Sequence, residues 1–96
     1  MEELRRFDVA VHGSVAMVVV ESALLPPDPA VVVIPLLRGY PAVRDLNPTI
    51  VVEGEQLILA TRLICAARRA SLKRADTVSE QGDAITRAVD VLMSGV

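Results

Sequence analysis

One histidine and one cysteine bound the chemistry open to this chain of 96 residues. His12 stands beside Gly13 in a predicted turn, and no partner for acid–base or ligand work is legible near it, so a solvated ring is expected. Cys65 lies among Arg62, Arg68 and Arg69, cations of the kind that lower a thiol's pKa. Without a resolving cysteine or a second histidine it reads as an inert, buried thiol. No His/Cys cluster supports a metal site. Gly13, Gly39, Gly54, Gly82 and Gly95 are scattered singly, so no glycine-rich loop is present to cradle phosphates or a nucleotide cofactor. Glu53 and Glu55 flank a turn and read as a solvated face rather than an acid–base pair. These residues predict a protein that is not an enzyme and needs no cofactor.

The one local excess of positive charge is Arg62, Arg68, Arg69, Lys73 and Arg74. It could touch RNA, DNA or an acidic peptide, or form a solvated face screened by the acidic C-terminal segment. A net charge of −2 argues against a surface built for a phosphate backbone. Phe7 and Tyr40 are the only aromatics, too few for a base-stacking platform. No direct nucleic-acid binding is therefore expected. A lone cysteine excludes an internal disulfide and fits a reducing cytoplasm. The start, Met1-Glu2-Glu3-Leu4-Arg5-Arg6, is too acidic for a signal peptide, and the apolar runs Val15–Val20 and Ala30–Leu37 are too short to span a membrane. A cytoplasmic protein without membrane contact is expected. The apolar share is 52% before glycine is counted, against about 45–50% with glycine in ordinary soluble domains. A homo-oligomer interface, or a groove for a partner, would absorb that excess.

The elements that must position these residues fall into one domain over 1–96, with strands over roughly 4–65 and a helix over roughly 79–94. Phe7, Val9 and Val11 alternate, His12-Gly13 turns the chain, and Val15–Val20 is a β-branched run suited to a buried strand. Pro26-Pro27-Asp28-Pro29 interrupts regular structure. Val31–Ile34 forms a third strand stopped by Pro35, and Leu36–Leu46 reads as irregular. Thr49–Val52 and Gln56–Leu59 flank Glu53-Gly54-Glu55, a hairpin in which Gly54 can take positive φ. Ala60–Ala75 is ambiguous: Leu63, Ala66, Ala67 and Ala70 suggest an amphipathic helix, whereas Thr61–Cys65 could continue a strand. Asp76, Thr77 or Ser79 can cap a final helix whose first turn carries Glu80 and Asp83. Ile85, Ala88, Val89, Leu92 and Val96 make its apolar stripe. Five short strands and one helix suggest a small antiparallel barrel with a helix against it. The last residues, Leu92-Met93-Ser94-Gly95-Val96, offer an apolar tip suited to insertion into a partner's pocket.

Three segments, Val33-Ile34-Pro35-Leu36, Arg44-Asp45-Leu46-Asn47-Pro48 and Ala84 through Val96, together resemble the CcdB family of toxins. That family has a V-I-P-L strand at a similar distance from the start, an R-E-L-Y-P segment opening the glycine hairpin, and a closing helix ending N-L-M-F-W-G-I. The resemblance implies a mainly β (α+β) fold, an SH3-like barrel with a C-terminal helix, shared with the MazF and Kid endoribonucleases. It also implies a homodimer that binds the gyrase A protein of DNA gyrase and poisons the topoisomerase. Such a dimer is neutralised by a CcdA-like antitoxin and takes part in transcriptional autoregulation. The target-binding residues it implies are Ser94, Gly95 and Val96, with Met93, Arg87, Asp90 and Val91 on the same helix. The family's terminal Trp-Gly-Ile falls on Ser94-Gly95-Val96, so the tryptophan is replaced. Losing such an anchor costs on the order of 2–4 kcal/mol, roughly 30- to 1,000-fold in affinity. The alternatives are a changed target such as topoisomerase IV, a non-toxic antitoxin binder, and a MazF-like endoribonuclease using Arg62, Arg68, Arg69, Thr61 and Ser71.

Overall fold

Apolar runs without alternation, such as those around Val18 and Ile34, are stable as strands only where both faces of a sheet are covered. The computed structural model, which describes residues 3–95, meets that requirement. Seven strands form one antiparallel sheet: β1 (Asp8–His12), β2 (Val15–Val19), β3 (Ala30–Leu37), β4 (Thr49–Val52), β5 (Glu55–Leu59), β6 (Cys65–Arg68) and β7 (Lys73–Thr77). The order is β4-β5-β3-β2-β1-β7, and β6 pairs with the first half of β3. The sheet curls into a half-barrel, and α1 (Gly82–Ser94) follows it. The mainly β fold with a C-terminal helix is thus as expected, with the barrel open between β4 and β7.

Successive residues divide between two apolar clusters. Val9, Val18, Ile34 and Leu36 point to one face, where Ile50, Leu57, Leu59, Val78 and the helix residues Ile85 and Ala88 complete a core. Ala10, Met17, Val19, Val31 and Val33 point to the other, which Leu4 and Leu72 close. The period-2 geometry of a strand distributes an unbroken apolar run in this way.

Several expectations give way. Pro35 does not stop the third strand: β3 runs through it, with Pro35 opposite Met17. Val20 N–H donates to Val32 O, so alternate β3 residues from Val32 onward bond toward β2, and Pro35 faces the other way. Its missing donor falls where β3 exchanges β6, paired up to Val33, for β5, paired from Leu36. Ala60–Ala75 is not a helix: it holds 3-10 turns at Thr61–Leu63 and Arg69–Ser71, strand β6 and the start of β7. The pairing offered by β3 and β1 overrides alanine's helix propensity. Strands therefore reach Thr77 rather than residue 65, and seven replace five.

The helix start also differs. A 3-10 turn (Ser79–Gln81) precedes α1, and no side chain caps either one, so Asp76, Thr77 and Ser79 are not caps. Gln81 instead turns its amide onto the edge of β4, accepting from Val51 N at 2.9 Å and donating to Val51 O at 2.8 Å. The hairpin forms with Glu53 and Gly54 both at positive φ, the two-residue turn that matches strand twist.

Phe7 seats the helix. Its φ is 71°, held there as its N–H donates to Val19 O at 2.7 Å and its carbonyl accepts from Val78 N at 2.9 Å. Its ring lies against Gly82, where a Cβ would meet ring carbon Cε2 at 2.6 Å. Gly82→Ala should therefore destabilise by about 1–3 kcal/mol through overpacking, although alanine favours helices. Urea denaturation measures it, and in a Phe7→Ala background the cost of Gly82→Ala should fall, because the clash is gone.

Candidate functional site

Helical periodicity sorts the residues of α1 into two faces. Ile85, Ala88, Val89 and Leu92 turn toward the sheet, with Ile85 and Ala88 fully buried. Arg87, Asp90, Val91 and Ser94, spaced i, i+3, i+4 and i+7, share the opposite face. Asp90, Ser94 and Arg87 are exposed and Val91 is half-buried. Met93, 75% exposed, projects at the flank of this face near the helix end. Gly95 ends the helix at φ 74°, and its N–H donates to Val91 O at 2.8 Å, the left-handed cap that glycine adopts without a Cβ penalty. Of the seven expected target-binding residues, six are thus gathered on one face and tip, while Val96 lies outside the described residues.

The loop before β4 adds a residue that the sequence pattern did not assign to the site. Arg87 Nε lies 3.1 Å from Asp45 Oδ1. Asp45 is at φ 65°, in a tight turn closed by mutual backbone bonds between Val43 and Asn47. Asn47 is buried, donating from Nδ2 to Pro41 O at 3.1 Å and accepting from Thr61 N at 3.4 Å. Thr61, fully buried, donates its hydroxyl to Leu46 O. Since the Thr61–Leu63 turn packs against α1, these buried polar groups fix the loop beside the helix. The signal for Asp45 was its place in the Arg44–Pro48 segment; its nearness to Arg87 depends on the fold.

The basic residues do not form one surface. Arg69 pairs with Glu21 at 3.2 Å, both largely buried, and also donates to Asp28 O. Arg74 pairs at 3.2 Å with Asp8, whose carboxylate also accepts from Arg5 N. Arg62, Arg68 and Lys73 are exposed and in no ion pair among the described residues. Arg69 and Arg74 are neutralised within the sheet. The endoribonuclease set is dispersed as well, because Thr61 is buried and Arg69 is bound to Glu21.

Cys65 is exposed, contrary to the buried thiol expected, because the strand that carries it lies at a sheet edge. His12 is exposed, with Nδ1 3.0 Å from Ser71 O. A hollow of about 580 Å3 lies away from the helix, beneath the proline loop, with Leu4, Val19, Val31 and the Glu21–Arg69 pair in its wall. Among the described residues no cluster of His, Cys, Asp or Glu could hold a metal ion, and no helix is long and apolar enough to cross a membrane.

A curled half-barrel that seats one C-terminal helix, with Arg87, Asp90, Met93 and Ser94 exposed, defines a class of small α+β protein. A family model described as CcdB protein matches residues 6–95. The chain belongs to the CcdB family, toxins of toxin–antitoxin systems. No curated protein matches it.

The Arg87–Asp45 pair is exposed at 62% and 42% of its two side chains, so its contribution to stability is small. A double-mutant cycle of Arg87→Ala and Asp45→Ala should give a coupling of about 0.2–1 kcal/mol in urea denaturation.

Proposed function

We propose that this chain is a toxin that acts by binding the gyrase A protein of DNA gyrase and not by catalysis. Its contact surface is the outer face and tip of α1: Arg87, Asp90, Val91, Met93, Ser94, Gly95 and Val96. The observation that carries this reading is the family match through residue 95, which includes the helix end that leaves Met93 and Ser94 exposed. The working unit is a homodimer in the cytoplasm, held inactive by a CcdA-like antitoxin, with the toxin–antitoxin complex regulating its own transcription. The apolar share of 52% and the exposed Leu24, Leu25, Val43 and Leu63 support a further interface.

Ser94 favours a second reading. Where the family has tryptophan, the helix presents a hydroxymethyl group and leaves Met93 as its largest apolar projection. Loss of an aromatic anchor favours a shifted target, topoisomerase IV, or a non-toxic protein that retains its antitoxin.

Calorimetric titration of the protein into a gyrase A fragment, beside a variant lacking Gly95 and Val96, tests both readings. Micromolar or tighter binding that weakens at least about 30-fold in the truncated but folded variant is expected for the gyrase toxin. A folded protein that fails to bind gyrase but binds topoisomerase IV would establish the shifted target. If it binds neither and cells grow normally after induction, the sequestering role holds.

A further inference from the structure

Arg87 has two acidic neighbours on its own helix. Asp83 stands at i−4 and Asp90 at i+3, the spacings at which opposite charges meet along a helix. All three residues are exposed. Arg87 nevertheless forms no ion pair with either one among the described residues; its Nε lies 3.1 Å from Oδ1 of Asp45, on the loop before β4. Asp83 and Asp90 are thereby left without an ion pair among the described residues.

The loop is built to deliver that carboxylate. Val43 and Asn47 exchange backbone hydrogen bonds of 3.3 and 2.8 Å, and Asp45 between them is at φ 65°. The buried Asn47 side chain donates to Pro41 O and accepts from Thr61 N, and Thr61 belongs to the turn packed against α1. A loop held in this way has already lost the backbone entropy that a free one would lose on reaching Arg87. Pairs along a helix and exposed ion pairs are both weak, so a carboxylate fixed within reach decides between them. Arg44, next in the chain, is exposed and in no ion pair among the described residues, so Asp45 is engaged by Arg87 and not by its neighbour.

The consequence falls on the outer face of the helix. Arg87 folded onto Asp90 would present a self-neutralised patch. Drawn to the loop, it leaves Asp90 as a bare carboxylate one turn before Ser94 on the same face. We propose that Asp45 is a positioning residue for target binding: it holds Arg87 off Asp90, so that α1 meets its target with the two charges apart. Asp45 acts through Arg87 and makes no contact of its own with the target. The inference rests on the topoisomerase-binding reading and adds to it a residue outside the helix that sets the helix's charge pattern. Charge arrangement of this kind governs the choice of partner and the rate of association more than it governs affinity.

Two substitutions remove the carboxylate and keep the loop. Asparagine matches aspartate in size and is at home at positive φ, and glycine accepts that φ without strain. Asp45→Asn and Asp45→Gly are compared with the unmodified protein by calorimetric titration into a gyrase A fragment, or into a topoisomerase IV fragment if that is the one bound. Both variants should bind about three- to tenfold more weakly at low salt. The difference should shrink as added salt screens exposed charges, a dependence that a merely structural defect would not show. In an Arg87→Gln background, Asp45→Asn should change binding by less than about twofold, because no guanidinium remains to be misplaced. Urea midpoints report whether each variant is folded. Unchanged binding by the folded Asp45 variants overturns the inference. So does an equal loss in the Arg87→Gln background, which would mean that Asp45 touches the target itself or only shapes the loop. If the unmodified protein binds neither fragment, the topoisomerase reading fails and takes this inference with it; if it binds and the Asp45 variants bind equally well, this inference alone fails.

Discussion

β3 bonds to three other strands, and its side chains enter both apolar clusters. Val31 and Val33 face one way and Ile34 and Leu36 the other, each nearly or fully buried. A strand covered on both faces must itself be apolar throughout, so the unbroken run in the sequence is a consequence of its central position. The exchange of neighbours along β3 makes the sheet branch: β6 pairs with its first half and β5 with its last residues. Pro35 is tolerated at the change because no neighbouring strand needs its N–H there. The curl that receives the helix and the free edge of β6 both originate at this branch.

Polar side chains complete the work where strands cannot pair. Gln81 supplies an amide with a donor and an acceptor, the complement of one peptide unit, and thereby closes β4 while it begins the helix. Asn47 and Thr61 do the same inside the loop that carries Asp45. Among the described residues no buried side-chain nitrogen or oxygen lacks a hydrogen-bond partner. Buried groups satisfied in this way specify one loop geometry, since any other would leave a polar atom uncompensated. The face of α1 is positioned on one side by this loop and on the other by the Phe7–Gly82 contact.

Two surfaces of different character result. The helix tip offers an exposed thioether, a hydroxyl and a glycine cap, with Arg87 held by Asp45. The β6 edge turns the backbone groups of Ala66 and Arg68 outward. Cationic residues that looked like one cluster in the sequence divide between these roles, with Arg69 and Arg74 fastening the sheet and Arg62 and Arg68 facing outward.

The sequence by itself determined the apolar strands, the Glu53-Gly54 turn, the amphipathic stripe of α1 and the family. Each of these depends on local periodicity, turn chemistry or residue order. It also placed six of the seven candidate residues on one helix face and tip, because i, i+3 and i+4 spacing is a local property. Only the tertiary structure decided that Ala60–Ala75 forms strands, that Pro35 lies inside one, that Cys65 is exposed and that Asp45 meets Arg87. In each case the deciding neighbour is distant in the chain: β3 for Cys65–Arg68, the change from β6 to β5 for Pro35, and Thr61 for the Asp45 loop. Propensity differences of less than about 1 kcal/mol per residue cannot outweigh a strand's hydrogen bonds and the burial they bring.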